Sequence, residues 1–184
     1  MPFIFGDPGG EAPGSDDRRM NAEANGTDGS IMTEVQLVDP TPATMSGFPV
    51  VIQLPVQWGD LDIYGHVNSV VYLQWFEAAR AAYAMQVGVE ILSRDRGIGA
   101  ILASITCNYR RPLTYPAAVY AGARVSRLTV GSVTLEYLVT DAGTGVPVAD
   151  GKSDAVLYDY AANEPVAIPS RIRAAVEQLE GKKF

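Results

Sequence analysis

The stretch Trp58-Gly59-Asp60-Leu61-Asp62-Ile63-Tyr64-Gly65-His66-Val67-Asn68-Ser69-Val70-Val71-Tyr72-Leu73-Gln74-Trp75-Phe76-Glu77-Ala78-Ala79-Arg80 runs from a loop into a helix. Its first half is rich in glycine and aspartate, which favour turns. Asn68 or Ser69 can accept hydrogen bonds from the free N–H groups of a first helical turn. Five alanines (Ala78, Ala79, Ala81, Ala82 and Ala84) favour the helix intrinsically, and Gly88 suits its end, so a helix is predicted over roughly 69–87. Its apolar residues, among them Val70, Leu73, Trp75, Phe76, Tyr83 and Met85, leave no clear polar face. That pattern predicts a helix buried on most sides.

Outward from this helix the periodicity changes. Val50 to Trp58 reads as a strand, with Pro55 tolerated at an edge or bulge. Downstream, four runs have the period of two expected of strands: Ile101 to Tyr109, Val119 to Val125, Val133 to Val139, and roughly Gly151 to Tyr160. Gly131 and the stretch 141–147 supply turns between neighbours. Pro169 and Ser170 suit the start of a short helix reaching Leu179. One strand, one long helix, four strands and a short helix predict an α+β fold. Its expected form is an antiparallel sheet of about five strands wrapped around one long central helix, with a short C-terminal helix.

The chain has 184 residues, 47% hydrophobic, enough for one core. Residues 1–46 are rich in Gly, Pro, Asp and Asn and hold eight acids against two bases. They are expected to form a disordered extension, leaving 47–184 as the folded domain. The remaining 138 residues hold 13 acids and 12 bases, with no basic stripe of the kind nucleic-acid binding requires. No apolar run approaches the roughly 18 residues of a membrane helix. The N-terminus lacks a secretory pattern, and the single cysteine cannot form an internal disulfide; a cytoplasmic protein is expected. One cysteine and one histidine cannot build a His/Cys zinc site, and no metal is expected. Cys107 lies in an apolar alternating run, the setting of an inert buried thiol.

The chemistry concentrates where the loop meets the helix. A first helical turn has unpaired N–H groups and the positive end of the helix dipole. A substrate carbonyl placed there would have its developing oxyanion stabilised. A carboxylate just upstream could attack that carbonyl or activate a water. Thioesters suit this arrangement because thiolate leaves readily.

The order Asp60-x-Asp62, Gly65-His66-Val67-Asn68, Tyr72 and Glu77-x-x-Arg80 resembles the signature of the 4-hydroxybenzoyl-CoA thioesterase branch of hotdog proteins. The likeness continues through Tyr109-Arg110-Arg111-Pro112 and from Asp159 through Pro165 to Ile168-Pro169. It implies a hotdog fold, hydrolysis of an acyl-CoA thioester, and homodimers with active sites at the interface, often paired into tetramers. No cofactor is implied beyond the coenzyme A carried by the substrate. Asp62 matches the catalytic carboxylate, as nucleophile or general base, and Ser69 the position whose backbone N–H supports the oxyanion. Gly65, His66, Val67, Asn68 and Tyr72 match the pocket-lining motif. Two departures stand out: Tyr115-Pro116-Ala117 replaces a usual Gly-Asp turn, and Ser69 stands where a second Asn is usual.

Each assignment has a plainer counterpart. Asp62 could brace its loop; Asp60 reads as an N–H acceptor in the turn. Tyr72 could be core. Glu77 is a second catalytic candidate, since a carboxylate on an apolar helix needs a partner if buried, but it could equally pair with Arg80 at i,i+3. Candidate cations for the coenzyme A phosphates are Arg110, Arg111, Arg124, Arg127 and Lys152. Arg110 and Arg111 are adjacent on an expected strand and should point to opposite faces, so at most one of the two is expected to serve. The rival functions are a hotdog hydratase or dehydratase using Asp62 and His66, and a non-catalytic acyl-CoA-binding protein. A Gly-x-Ser-x-Gly elbow is absent.

Overall fold

A computed structural model describes residues 36–39, 41–89 and 97–184. Strand β1 (Val50–Pro55) leads through a short 3-10 turn (Trp58–Asp60) into helix α1 (Ser69–Gln86). Four long strands follow: β2 (Ile98–Tyr109), β3 (Ala118–Leu128), β4 (Ser132–Asp141) and β5 (Pro147–Asp159). The two-residue β6 (Glu164–Pro165) and helix α2 (Ser170–Glu180) complete the described chain.

The strands form one antiparallel sheet in the order β1-β3-β4-β5-β2, with β6 pairing to β5. The connection through α1 therefore carries the chain from one edge of the sheet to the other. Along β3, Val119, Ala121, Ala123 and Val125 face inward and are buried, as are Leu135, Tyr137 and Val139 on β4. They pack with Val71, Tyr72, Trp75, Phe76, Ala79 and Tyr83 of α1 into one core. Each large side chain buried this way stabilises the fold by about 1.5–3 kcal/mol. The alanines of β3 keep the sheet low where the helix crosses it. This is the hotdog fold that the motif order implied.

Several local readings are adjusted. β1 ends at Pro55, because Gln57 and Asp60 close a capping box on the following turn. β5 begins at Pro147, where Val139 and Thr140 of β4 make an irregular pairing with it. α1 is open on one side: Val70 and Met85 are 57% and 67% exposed, and Glu77 lies on the open side with them. The helix therefore buries one broad face and leaves a mixed face, with Val70, Gln74, Glu77 and Met85, exposed in the single chain.

The expected boundary at residue 47 also falls inside a packed segment. Leu37 bridges to Ile52, Met45 is fully buried, and Met45, Phe48 and Val51 form a second small core on the outer side of the sheet. Thr140 donates its hydroxyl to the Met45 sulfur at 3.4 Å, and the Arg124 guanidinium sits 4.9 Å from the Phe48 ring centroid. A few well-spaced apolar residues anchor this strap despite its polar composition. Residues 1–35 of the expected extension lie outside the described residues.

Candidate active site

The loop before α1 is a tight return. Leu61 bridges to Val67, the Asp62 N–H donates to the His66 carbonyl at 2.7 Å, and the Gly65 N–H donates to the Asp62 carbonyl at 3.0 Å. Gly65 has φ 76, in the left-handed region that only glycine enters without strain. The Asp62 Oδ1 accepts the N–H groups of Tyr64 at 2.8 Å and His66 at 3.2 Å. Its other carboxylate oxygen makes no hydrogen bond among the described residues. Asp62 thus braces the loop with one oxygen and leaves the second available. Asp60 is structural, as expected: its Oδ2 accepts the Gln57 N–H at 2.7 Å.

Asn68 is the cap of α1. Its Oδ1 accepts the Val70 N–H at 3.1 Å, and its carbonyl accepts the Val71 N–H at 3.0 Å. The Ser69 N–H, at the first helical position, has no acceptor among the described residues. Tyr109, at the end of β2, donates its hydroxyl to the Ser69 carbonyl at 3.1 Å and tethers this first turn to the sheet. The Tyr109 and Tyr72 rings meet edge to face, with centroids 5.3 Å apart. Burial above all, with Cys107 beside them, holds both phenols above their usual pKa range. They remain neutral hydroxyls near neutral pH. Burial likewise pushes the Cys107 thiol up, which keeps it unreactive.

Asp62, His66, Val67, Asn68, Ser69, Tyr72, Tyr109, Arg110, Arg111 and Pro112 line one open pocket of about 520 Å³. Gly65 shapes the loop without lining the pocket. Glu77 does not line it either: its side chain is 72% exposed, 3.9 Å from Arg80. With water around it, Glu77 needs no buried partner, and the desolvation argument for its role lapses within the single chain.

Arg110 and Arg111 correct the expectation of opposite faces. β2 ends at Tyr109, and the N–H groups of both arginines donate to the Val148 carbonyl, at 2.8 and 3.3 Å. This shared acceptor breaks strand alternation, and both residues reach the pocket. Arg110 is bound to Asp150, whose carboxyl the Arg110 hydrogen bond holds below the usual carboxylate range. Arg124 and Lys152 are instead paired with Glu136, at 2.7 and 2.9 Å, away from the pocket. Arg127 does not line it. Of the aromatic residues of the loop and α1, Trp75 and Tyr83 are core, Trp58 and Tyr64 are exposed, and Tyr72 lines the pocket together with Tyr109 of β2. Tyr109 is a pocket residue that the motif order did not single out; its shared phase with Ile105 and Cys107 along β2 was the available signal.

No group of three or more His, Cys, Asp or Glu residues is placed to hold a metal among the described residues. No described helix is long and apolar enough to cross a membrane.

Residues 56–176 match the thioesterase-like superfamily. The chain is 27% identical over 127 residues to the long-chain acyl-CoA thioesterase FadM of Escherichia coli K12, covering 69% of this chain and 96% of that protein. It is 24% identical over 124 residues to the acyl-acyl carrier protein thioesterase ATL2 of Arabidopsis thaliana, covering 67% of this chain and 65% of that protein. Among solved structures, a thioesterase from Thermus thermophilus complexed with coenzyme A and Zn superposes with a TM-score of 0.68 at 31% identity, covering 76% of this chain and 100% of that one. The chain belongs to the thioesterase-like superfamily and is a thioester hydrolase with the hotdog fold.

Proposed function

We propose that the substrate is an acyl-CoA and that Asp62 is the catalytic carboxylate. The observation that carries this reading is the meeting, in one pocket, of an Asp62 oxygen free of hydrogen bonds, the first turn of α1, and two arginines. The thioester carbonyl sits at the Ser69 N–H, where the helix terminus stabilises the oxyanion. Asp62 attacks the carbonyl carbon or takes a proton from a water that does so. The C–S bond breaks, coenzyme A leaves as thiolate and is protonated, and water supplies the oxygen of the free acid. Arg111, with Arg110 beside it, binds phosphate of the coenzyme A. The T. thermophilus relative holding coenzyme A supports this ligand class.

The working unit of this proposal is a homodimer, or a tetramer built from dimers. β2 is an edge strand of 12 residues with no charge and no proline, and Ile101 and Leu102 on it are 37% and 41% exposed. Such an edge pairs with another strand unless something covers it. A second copy laid along β2 would also cover the bare face of α1 and wall the open pocket beside Tyr109.

The test is release of coenzyme A thiol from short, medium, long and aromatic acyl-CoAs, with Asp62→Ala alongside and folding checked for both. Release that collapses in the folded variant supports the reaction and its carboxylate. Release that survives removes Asp62 from the chemistry. Hydration of an enoyl-CoA without thiol release would favour the hydratase.

A further inference from the structure

Two cavities lie at opposite ends of one stripe of α1. Tyr72, Phe76, Arg80 and Ala84 recur every four residues, about 6 Å per step along the axis. Tyr72 lines the Asp62 pocket. Arg80 and Ala84 line a second cavity of about 100 Å³, apolar on nearly all its surface, closed by Leu135 on β4 and by Ile172 and Val176 of α2. An apolar void of this kind stays dry and accepts an alkyl chain readily.

Phe76 lies one helical turn from Tyr72 and one from Arg80, in the core between the two cavities along the helix, and lines neither. It is fully buried, and its ring stacks on Tyr137 with centroids 4.7 Å apart and planes 14° apart. The ring lies directly on Gly151, where an added Cβ would come within 2.6 Å of it. Tyr137 is held in turn: its hydroxyl is 2.6 Å from that of Ser153, and Arg80 donates to it at 3.5 Å. The stack cannot swing aside toward the sheet, because interiors packed this closely leave no free rotamer.

We propose that Phe76 is the residue that sets acyl length. Its ring fills the core between the Asp62 pocket and the apolar cavity beyond, and keeps the acyl chain out of that cavity. The native enzyme then takes short or single-ring acyl groups, and removal of the ring opens a path for straight chains of medium and greater length. This rests on the acyl-CoA reading of the Asp62 pocket.

The experiment measures kcat/KM for straight-chain acyl-CoAs from butanoyl to hexadecanoyl, for the native chain, Phe76→Ala and Phe76→Leu, with thermal unfolding of each. The expected result is a native preference for butanoyl over dodecanoyl, and a dodecanoyl-to-butanoyl ratio that rises roughly tenfold or more in Phe76→Ala and less in Phe76→Leu. Should Phe76→Ala fail to fold, Phe76→Leu decides. A native chain that prefers dodecanoyl, or a folded, active Phe76→Leu with the native ratio, overturns the assignment and sends the chain along the open face of α1. In that case butanoyl activity shows that the acyl-CoA reading survives. No release from any acyl-CoA by the native chain rejects that reading and the role of Phe76 with it.

Discussion

Tyr83, in the last turns of α1, donates its hydroxyl to Glu180, at the end of α2, across 2.8 Å. The same Glu180 oxygen accepts the Val125 N–H of β3 at 2.6 Å. β1 pairs with β3 only as far as Ala123, so that N–H lies past the end of the ladder and would otherwise lack a partner. One carboxylate therefore joins α1, the sheet and α2 at the far end of the core. Burial, and then the bond to Glu180, hold the Tyr83 phenol well above its usual range. Tyr83→Phe is expected to cost about 1 kcal/mol, and Glu180→Ala about 2–3 kcal/mol, because the second also strips a backbone donor. Urea unfolding of the two variants checks the order.

Asp62→Asn keeps the bracing oxygen that accepts from Tyr64 and His66 but removes the charge. A folded protein with native thermal stability and a kcat lower by roughly 10²–10⁴-fold is expected. Equal kcat in the two proteins would place the chemistry on another group.

Arg111→Ala should raise KM for acyl-CoA by about tenfold with kcat little changed, the loss of one charge-assisted contact. The penalty should disappear with an acyl thioester of N-acetylcysteamine, which carries no phosphate. A penalty that persists there would mean that Arg111 shapes the pocket and does not bind phosphate.

Leu102→Lys places a charge on the exposed edge of β2. Light scattering after size exclusion should show the native chain as a dimer or tetramer and the variant shifted toward monomer. Activity should fall with the shift, since the proposed pocket is walled by the partner.

Acid should weaken the outer face of the sheet. Lys152 first, and then Arg124, hold the Glu136 carboxyl below its usual range, and Arg110 does the same for Asp150. Folded values below unfolded ones mean that this stability is complete above the unfolded pKa of about 4 and is lost as pH falls through the folded values. Lys152→Met should therefore lower stability at pH 7 and flatten its decline below about pH 4. Urea midpoints between pH 3 and 7 provide the check.

Much of the site was legible because it is local. The turn around Gly65, the cap at Asn68 and the helix beyond depend on residues within a few positions of one another, and turn chemistry and alanine content carry that information. The fold class followed from the order of periodic segments. The direction of Glu77 was not legible. A helix apolar nearly all round does not state which side meets the sheet, and packing against β3 and β4 turned Glu77 to water.

What the sequence determined by itself is the loop-helix unit that holds Asp62 and the Ser69 N–H, since the hydrogen bonds of its N–H groups, apart from the Val67 N–H to the distant Leu113 carbonyl, close within eight positions. What only the tertiary structure decided are the contacts set by strand register. Tyr109 meets Ser69, 40 positions away, because β2 pairs with β5 and ends there. Arg110 and Arg111 share one pocket because both amides meet Val148. Phe76 has room to stack on Tyr137 because Gly151 lies opposite that tyrosine. Spacing along a chain constrains neighbours; it cannot specify which distant strand supplies the other wall.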